Sequence, residues 1–250
     1  MLSHESRCGI LALISAAAVA ASLFVGPIPQ DPNYHLFSDF RQISGVRNFW
    51  NVLSNLPFLL VGAVGLLRYS KLSHKESAQA YLVMCVGVVL VGFGSAYYHY
   101  APSNDTLLWD RLPMTIAFMA LLSLLLNERV IRSPQRYMLW IFVSAGAAAV
   151  FYWSWTESLG KGDLRPYALV QFLPVLLMPL MLAMFNQRYL SNKLLLGAFA
   201  LYFAAKALEH FDAQILAATG LMSGHAIKHA AAAAAVLCII YAVPTRPVSR

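Results

Sequence analysis

GSAYYHYAPSNDTLLWDRLPM, residues 94–114, closes one apolar run, crosses a short polar segment and opens the next apolar run. It places Ser95, His99 and Asp110 within a few residues of an expected membrane edge. An aspartate ahead of an apolar run suits a helix N-cap, because its carboxylate accepts from backbone N–H groups that have no intrahelical partner. The spacing therefore predicts a helix from Asp110 to Asn127, with Pro113 tolerated in its first turn. A second cluster, GHAIKH at 224–229, opens the last apolar run.

Outward from these two stretches the chain is apolar throughout. Of its 250 residues 59% are hydrophobic and 12% are charged, and its mean hydropathy is +0.61. A soluble domain of this length carries roughly twice that share of charge. Runs near the length that crosses a hydrocarbon core recur at Gly9–Val25, Asn48–Tyr69, Ala78–Tyr98, Asp110–Asn127, Gln135–Trp155, Tyr167–Phe185, Lys193–Leu216 and Ser223–Val243. The fold class they predict is all-α, a multi-pass transmembrane helix bundle. The expected divisions are an N-terminal helix or signal anchor (1–26), an outer polar segment (27–47), a seven-helix domain (48–243) and a basic tail (244–250). Gly26 to Pro29 ends the first run. That run fits either a retained helix or a cleaved signal peptide, and retention is the expectation adopted. Cys8, Cys85 and Cys238 lie in or beside apolar runs without metal-ligand spacing, and read as reduced structural thiols.

The formal charge is +7, yet the basic residues collect in alternate loops, which points to membrane topology and away from nucleic acid. Arg68, Lys71 and Lys75, then Arg129, Arg132 and Arg136, then Arg188 and Lys193, then Arg246 and Arg250 share one side, expected to be cytoplasmic. Asp31, Asp39, Asp105, Asp110, Glu157 and Asp163 mark the other. This puts the C-terminus inside, in the cell (inner) membrane. It also puts Ser95, His99, Asp110, His225 and His229 at one depth, toward the outer face.

An ionisable group within a membrane helix is costly and usually has a partner or a task. His225 and His229 are four residues apart, about 40° of rotation and about 6 Å of rise on a helix, so both rings can face one point. With His99 they make three imidazoles and one open position, the arrangement of a catalytic Zn2+ site whose fourth ligand is water. The competing reading is that the histidines sit idle in the headgroup region. Asn51, Ser54 and Asn55 form a polar stripe that reads as helix–helix hydrogen bonding, with Asn51 and Ser54 also candidates for the site's surroundings. Asp212 is a candidate to orient a ligand histidine, and His210 a competing ligand. His4, His35 and His74 read as solvated. Trp50, Trp109, Trp153 and Trp155 read as an interfacial belt.

At these residues the sequence resembles the alkaline ceramidase family, in the superfamily that includes adiponectin-type receptors. The matching pieces are FWNVLSN (49–55), GSAYYH (94–99), WDRLPM (109–114) and HAIKH (225–229), in the family's order over about 48–243. The resemblance implies seven membrane helices and an intramembrane zinc amidase that cuts ceramide into a sphingoid amine and a fatty acid. Carried over residue by residue, it implies His99, His225 and His229 as metal ligands, Asp110 as the catalytic acid/base and Ser95 as the catalytic serine. The partners implied are a ceramide-like N-acyl lipid and the bilayer. Three departures stand out. Arg111 follows the aspartate where the family commonly has Glu. Ile227 and Lys228 replace two tryptophans. Asn48, preceded only by Asp31 and Asp39, stands where eukaryotic members bind Ca2+ through acidic residues. Two further readings remain open: a zinc-stabilised receptor or interaction protein without hydrolase activity, and a haem or copper electron carrier.

Overall fold

The computed structural model describes residues 2–74, 77–131 and 135–246. Its helices are α1 (His4–Phe24), α2 (Phe49–Leu53), α3 (Leu56–Tyr69), α4 (Ala78–Tyr100), α5 (Asn104–Leu125), α6 (Arg136–Ser158), α7 (Arg165–Met184), α8 (Asn192–His210), α9 (Asp212–Thr219) and α10 (Gly224–Ala242). Seven helices or helix pairs among the described residues are long and apolar enough to cross a membrane. An eighth is added if α8 and α9, which meet at 78°, count as one broken span. The fold is an all-α bundle of a multi-pass membrane protein. Lys75, Arg132 and Arg250, used above for orientation, lie outside the described residues.

The helices pack in chain order, α3 on α4, α4 on α5, α5 on α6 and α6 on α7, and α10 returns to lie between α8 and α3. Small residues set how closely they approach. Gly94 on α4 makes one of the tightest such contacts. A Cβ there would meet the backbone carbonyl of Trp109 on α5. Pro113 explains why that carbonyl is available: lacking an N–H, it cannot donate to the carbonyl four residues back. Backbone therefore meets backbone at the level of Ser95 and Asp110.

The start of α5 differs from expectation. The turn after α4 is only Ala101–Ser103, and α5 opens at Asn104. Ser103 is the N-cap and forms a capping box with Thr106. Asp110 is thus in the second turn, not at a cap, and Pro113 lies inside the helix. The S-x-x-T spacing outweighs the aspartate because it satisfies orphan donors reciprocally at the true helix start.

The end of the bundle opposite the histidines is closed by a buried polar knot. Leu126–Val130 forms a π-helical turn. Within it Glu128 and Arg129 pair at 2.8 Å, both side chains fully buried. Glu128 Oε1 also accepts from the backbone N–H groups of Arg188, Tyr189 and Leu190, while Arg129 donates to Asn192 Oδ1 at 2.6 Å. Arg129 is therefore a neutralised structural cation, not a loop charge as the orientation reading had it. Residues 71–73 pair with the tail at Pro244–Arg246 on this same end. His74 stacks on Tyr189 there, with ring centroids 4.0 Å apart, and His4 packs edge-on against Phe185. Neither ring is freely solvated.

Helix α1 packs against α7 and is stapled at both ends. Arg7 donates to the carbonyl of Met184 at 2.7 Å, and Arg165 to that of Val25 at 2.6 Å. Arg165 is itself held by Asp163, which also accepts from the Tyr152 hydroxyl. Hydrogen bonds from Arg165 hold the Asp163 carboxyl down to about 2. A depressed carboxylate contributes stability above its unfolded pKa of about 3.9 and loses it as pH falls through the folded value. Asp163→Asn is expected to cost about 1–3 kcal/mol. Thermal unfolding in detergent should show that deficit unchanged from pH 8 to 5, shrinking between about pH 4 and 2.

Candidate active site

His225 and His229 lie on the first turns of α10, and His99 on the last turn of α4. All three are buried. Their ligand nitrogens lie within 4.8 Å of one another, a group that can hold a metal ion. His99 Nε2 and His225 Nε2 are 3.4 Å apart. That is long for an N–H···N hydrogen bond and close to the edge of a tetrahedron with zinc–nitrogen bonds of about 2.0–2.1 Å, roughly 3.3 Å.

His229 is aimed by Ser54. The Ser54 hydroxyl donates to the carbonyl of Asn51 at 3.1 Å, so it accepts from His229 Nδ1–H at 2.7 Å. This fixes the tautomer and leaves Nε2 with its lone pair toward the cluster. Of the stripe predicted as helix–helix hydrogen bonding, only the Ser54–His229 bond joins two helices among the described residues, while Asn55 bonds back to the carbonyls of Asn51 and Val52. Asn51 itself, fully buried, donates to the carbonyl of Asp39 at 2.9 Å. His99 Nδ1 is buried without a partner among the described residues. The donor set is three imidazoles with Nε2 turned inward, and it fits a borderline cation such as zinc.

Asp212 meets one of the three histidines through the main chain. Its carboxylate accepts from the backbone N–H of His225 at 2.6 Å and of Ser38 at 3.4 Å. It therefore caps α10 and ties down the 27–47 segment, positioning His225 through the main chain and not through its ring. Gly224 permits this, since a Cβ there would run into the carbonyl of Leu208. His210 sits exposed at the end of α8 against Phe211 and is not in the cluster.

The polar segment 27–47 folds over the cluster. Phe37 packs on His99 and His225, with ring centroids at 4.8 and 5.1 Å. His35, expected to be solvated, uses both ring nitrogens: it accepts from Tyr98 and donates to Asn104 Oδ1, each at 3.0 Å. Asn48 adopts a left-handed conformation (φ 49°) and donates its side-chain N–H to the carbonyl of His99 at 2.8 Å. Arg41 clasps Asp39 and reaches the carbonyls of Gly220 and Leu221. These contacts cover the tri-histidine end, and Phe37 had no signal in the sequence pattern.

Beneath this cover lies a cavity of about 400 Å3, within the usual range for a small-molecule site. Ser95, His99, Asp110, Arg111, His225, Lys228 and His229 line its polar end. Ser95 lies beside the Asp110 carboxylate. Met84, Val88, Phe118 and Leu121, about two to four turns deeper along α4 and α5, make the remainder apolar. Glu209 on α8 pairs with both Lys206 and Lys228. Trp153, expected at the interface, is fully buried against Arg111, whereas Trp109 and Trp155 are exposed.

The arrangement joins a tri-histidine cluster, a carboxylate and a hydroxyl at the polar end of a greasy chamber. A family model described as Ceramidase matches residues 38–244. No curated protein matches the chain.

Proposed function

The chain belongs to the ceramidase family, and from that premise we propose that it is a zinc-dependent membrane amidase. The reaction is hydrolysis of the N-acyl bond of ceramide or a related lipid to a fatty acid and a sphingoid-type amine. The observation that carries this is the convergence of His99, His225 and His229 at the polar end of a cavity whose wall also holds Asp110 and Ser95. The orientation proposed is C-terminus cytoplasmic and metal end outward, in the cell membrane.

His99, His225 and His229 would hold the ion. When bound, it supplies Lewis acidity that polarises a carbonyl and lowers the pKa of water. Asp110 takes the proton of the attacking water and returns it to the amide nitrogen as the C–N bond breaks. Ser95 donates its hydroxyl to the carbonyl oxygen as negative charge develops, worth about 3 kcal/mol in a preorganised site. The apolar wall takes the acyl chain and excludes water from it.

The test is incubation of the purified protein with a panel of lipid amides, with elemental analysis of the same sample. Release of fatty acid by zinc-containing protein supports the reading. Zinc without turnover of any amide would instead favour a metal-stabilised receptor. Ser54 offers a finer check. Ser54→Ala frees the His229 ring and is expected to weaken zinc binding about 10–100-fold, measured by competition with a chelator.

A further inference from the structure

Arg111 is the cation on the cavity wall whose charge is not matched. Lys206 and Lys228 both pair with Glu209, but no ion pair to Arg111 occurs among the described residues. It is 5% exposed. Nη2 donates to the neutral Gln30 Oε1 at 2.7 Å, and Nη1 is buried with no partner among the described residues. The guanidinium is clamped by aromatic faces, 4.2 Å from the ring centroid of Trp153, 4.6 Å from Tyr167 and 5.6 Å from Tyr34. Four elements, among them the outer segment, thus hold one charge in one place. Rings orient a guanidinium but accept none of its in-plane hydrogen bonds, so Nη1–H is left for an acceptor that the protein does not provide.

A buried cation without a counter-charge is costly to keep. Asp110 is the next residue back and acts on Arg111 through space, but it lies about 100° around the helix. Counted over the cavity wall, Arg111, Lys206 and Lys228 face only Asp110 and Glu209. We infer that Arg111 recognises an anionic group on the lipid, a carboxylate, sulfonate or phosphate carried by its amine half. The preferred substrate is then an anionic member of the ceramide-related N-acyl lipids over its neutral counterpart. The amine half is specified because the deep wall is apolar and takes the alkyl chain. Arg111 stands at the polar end, next to Gln30 of the outer segment. A guanidinium suits this task better than an ammonium, since its planar fork meets such anions with two parallel bonds. The inference rests on the amidase reading for what is cleaved, but not for what is bound.

The experiment uses matched pairs on the full chain in detergent. N-palmitoylglycine and N-palmitoyltaurine are compared with N-palmitoylethanolamine, and phosphorylated ceramide with ceramide. Equilibrium binding and kcat/KM are both measured. The wild type is expected to bind the anionic member of a pair about tenfold or more tightly, and the arms show which anion fits best. R111Q erases the difference within each pair, and R111K restores part of it. Equal or weaker wild-type binding of every anionic member overturns the inference without any variant. So does an R111Q that weakens both members by the same factor, which would make Arg111 a positioning residue for Asp110. Anion preference in binding with no turnover of any lipid would sink the amidase reading alone. Turnover of ceramide with no charge preference would sink only the Arg111 assignment.

Discussion

Purified His225→Ala protein is expected to contain no stoichiometric zinc and to lose amide hydrolysis, by roughly 10³-fold or more, together. The cluster has three imidazoles, and two neutral nitrogens are a weak site compared with three that converge. Losing the ion removes Lewis acidity worth several kcal/mol of barrier. The fold should survive the change. The bond from residue 225 to Asp212 uses the backbone N–H, and the Ser223 cap of α10 is untouched. Elemental analysis, turnover and thermal unfolding of one preparation separate these effects. Full metal content and full activity in that variant would end the mechanism.

Asp110→Asn should show the complementary pattern, zinc retained and turnover reduced about 10²–10⁴-fold. Asn is close in shape but cannot take up the water's proton at neutral pH. Asp110 is not among the clustered ligand residues, and it caps nothing, because α5 begins at Asn104 with Ser103 as its cap. Metal loss equal to that of the histidine variant would make Asp110 a ligand. Unchanged kcat/KM would remove it from the reaction.

Much of the architecture was legible before any coordinates. Long apolar runs at bilayer length leave helices as the option that satisfies their backbone, because lipid offers no hydrogen bonds. The four-residue spacing of His225 and His229 fixes a shared helix face by geometry alone. Helix starts were less legible. Asp110 has the composition of a cap, but the Ser103–Thr106 box, with Ser103 seven residues earlier, competes for the same role and wins by satisfying more donors. Likewise Arg129 reads as a loop charge until the π-helical turn folds Glu128 against it.

By itself the sequence determined a helical membrane chain, with His225 and His229 on one helix face and His99 at the end of another. Local spacing dictates such features, since one helix's geometry is independent of its neighbours. Only the tertiary structure decided that His99 Nε2 meets His225 Nε2, that Ser54 sets the tautomer of His229 and that Phe37 covers both. It also decided that Arg111 lies among Trp153, Tyr167 and Tyr34 with no ion pair among the described residues. Each of these joins residues on different elements, some more than a hundred positions apart. Their meeting depends on how closely backbones approach at sites such as Gly94 against Trp109. Such distances are set by the packing of the whole bundle, which no window of sequence contains.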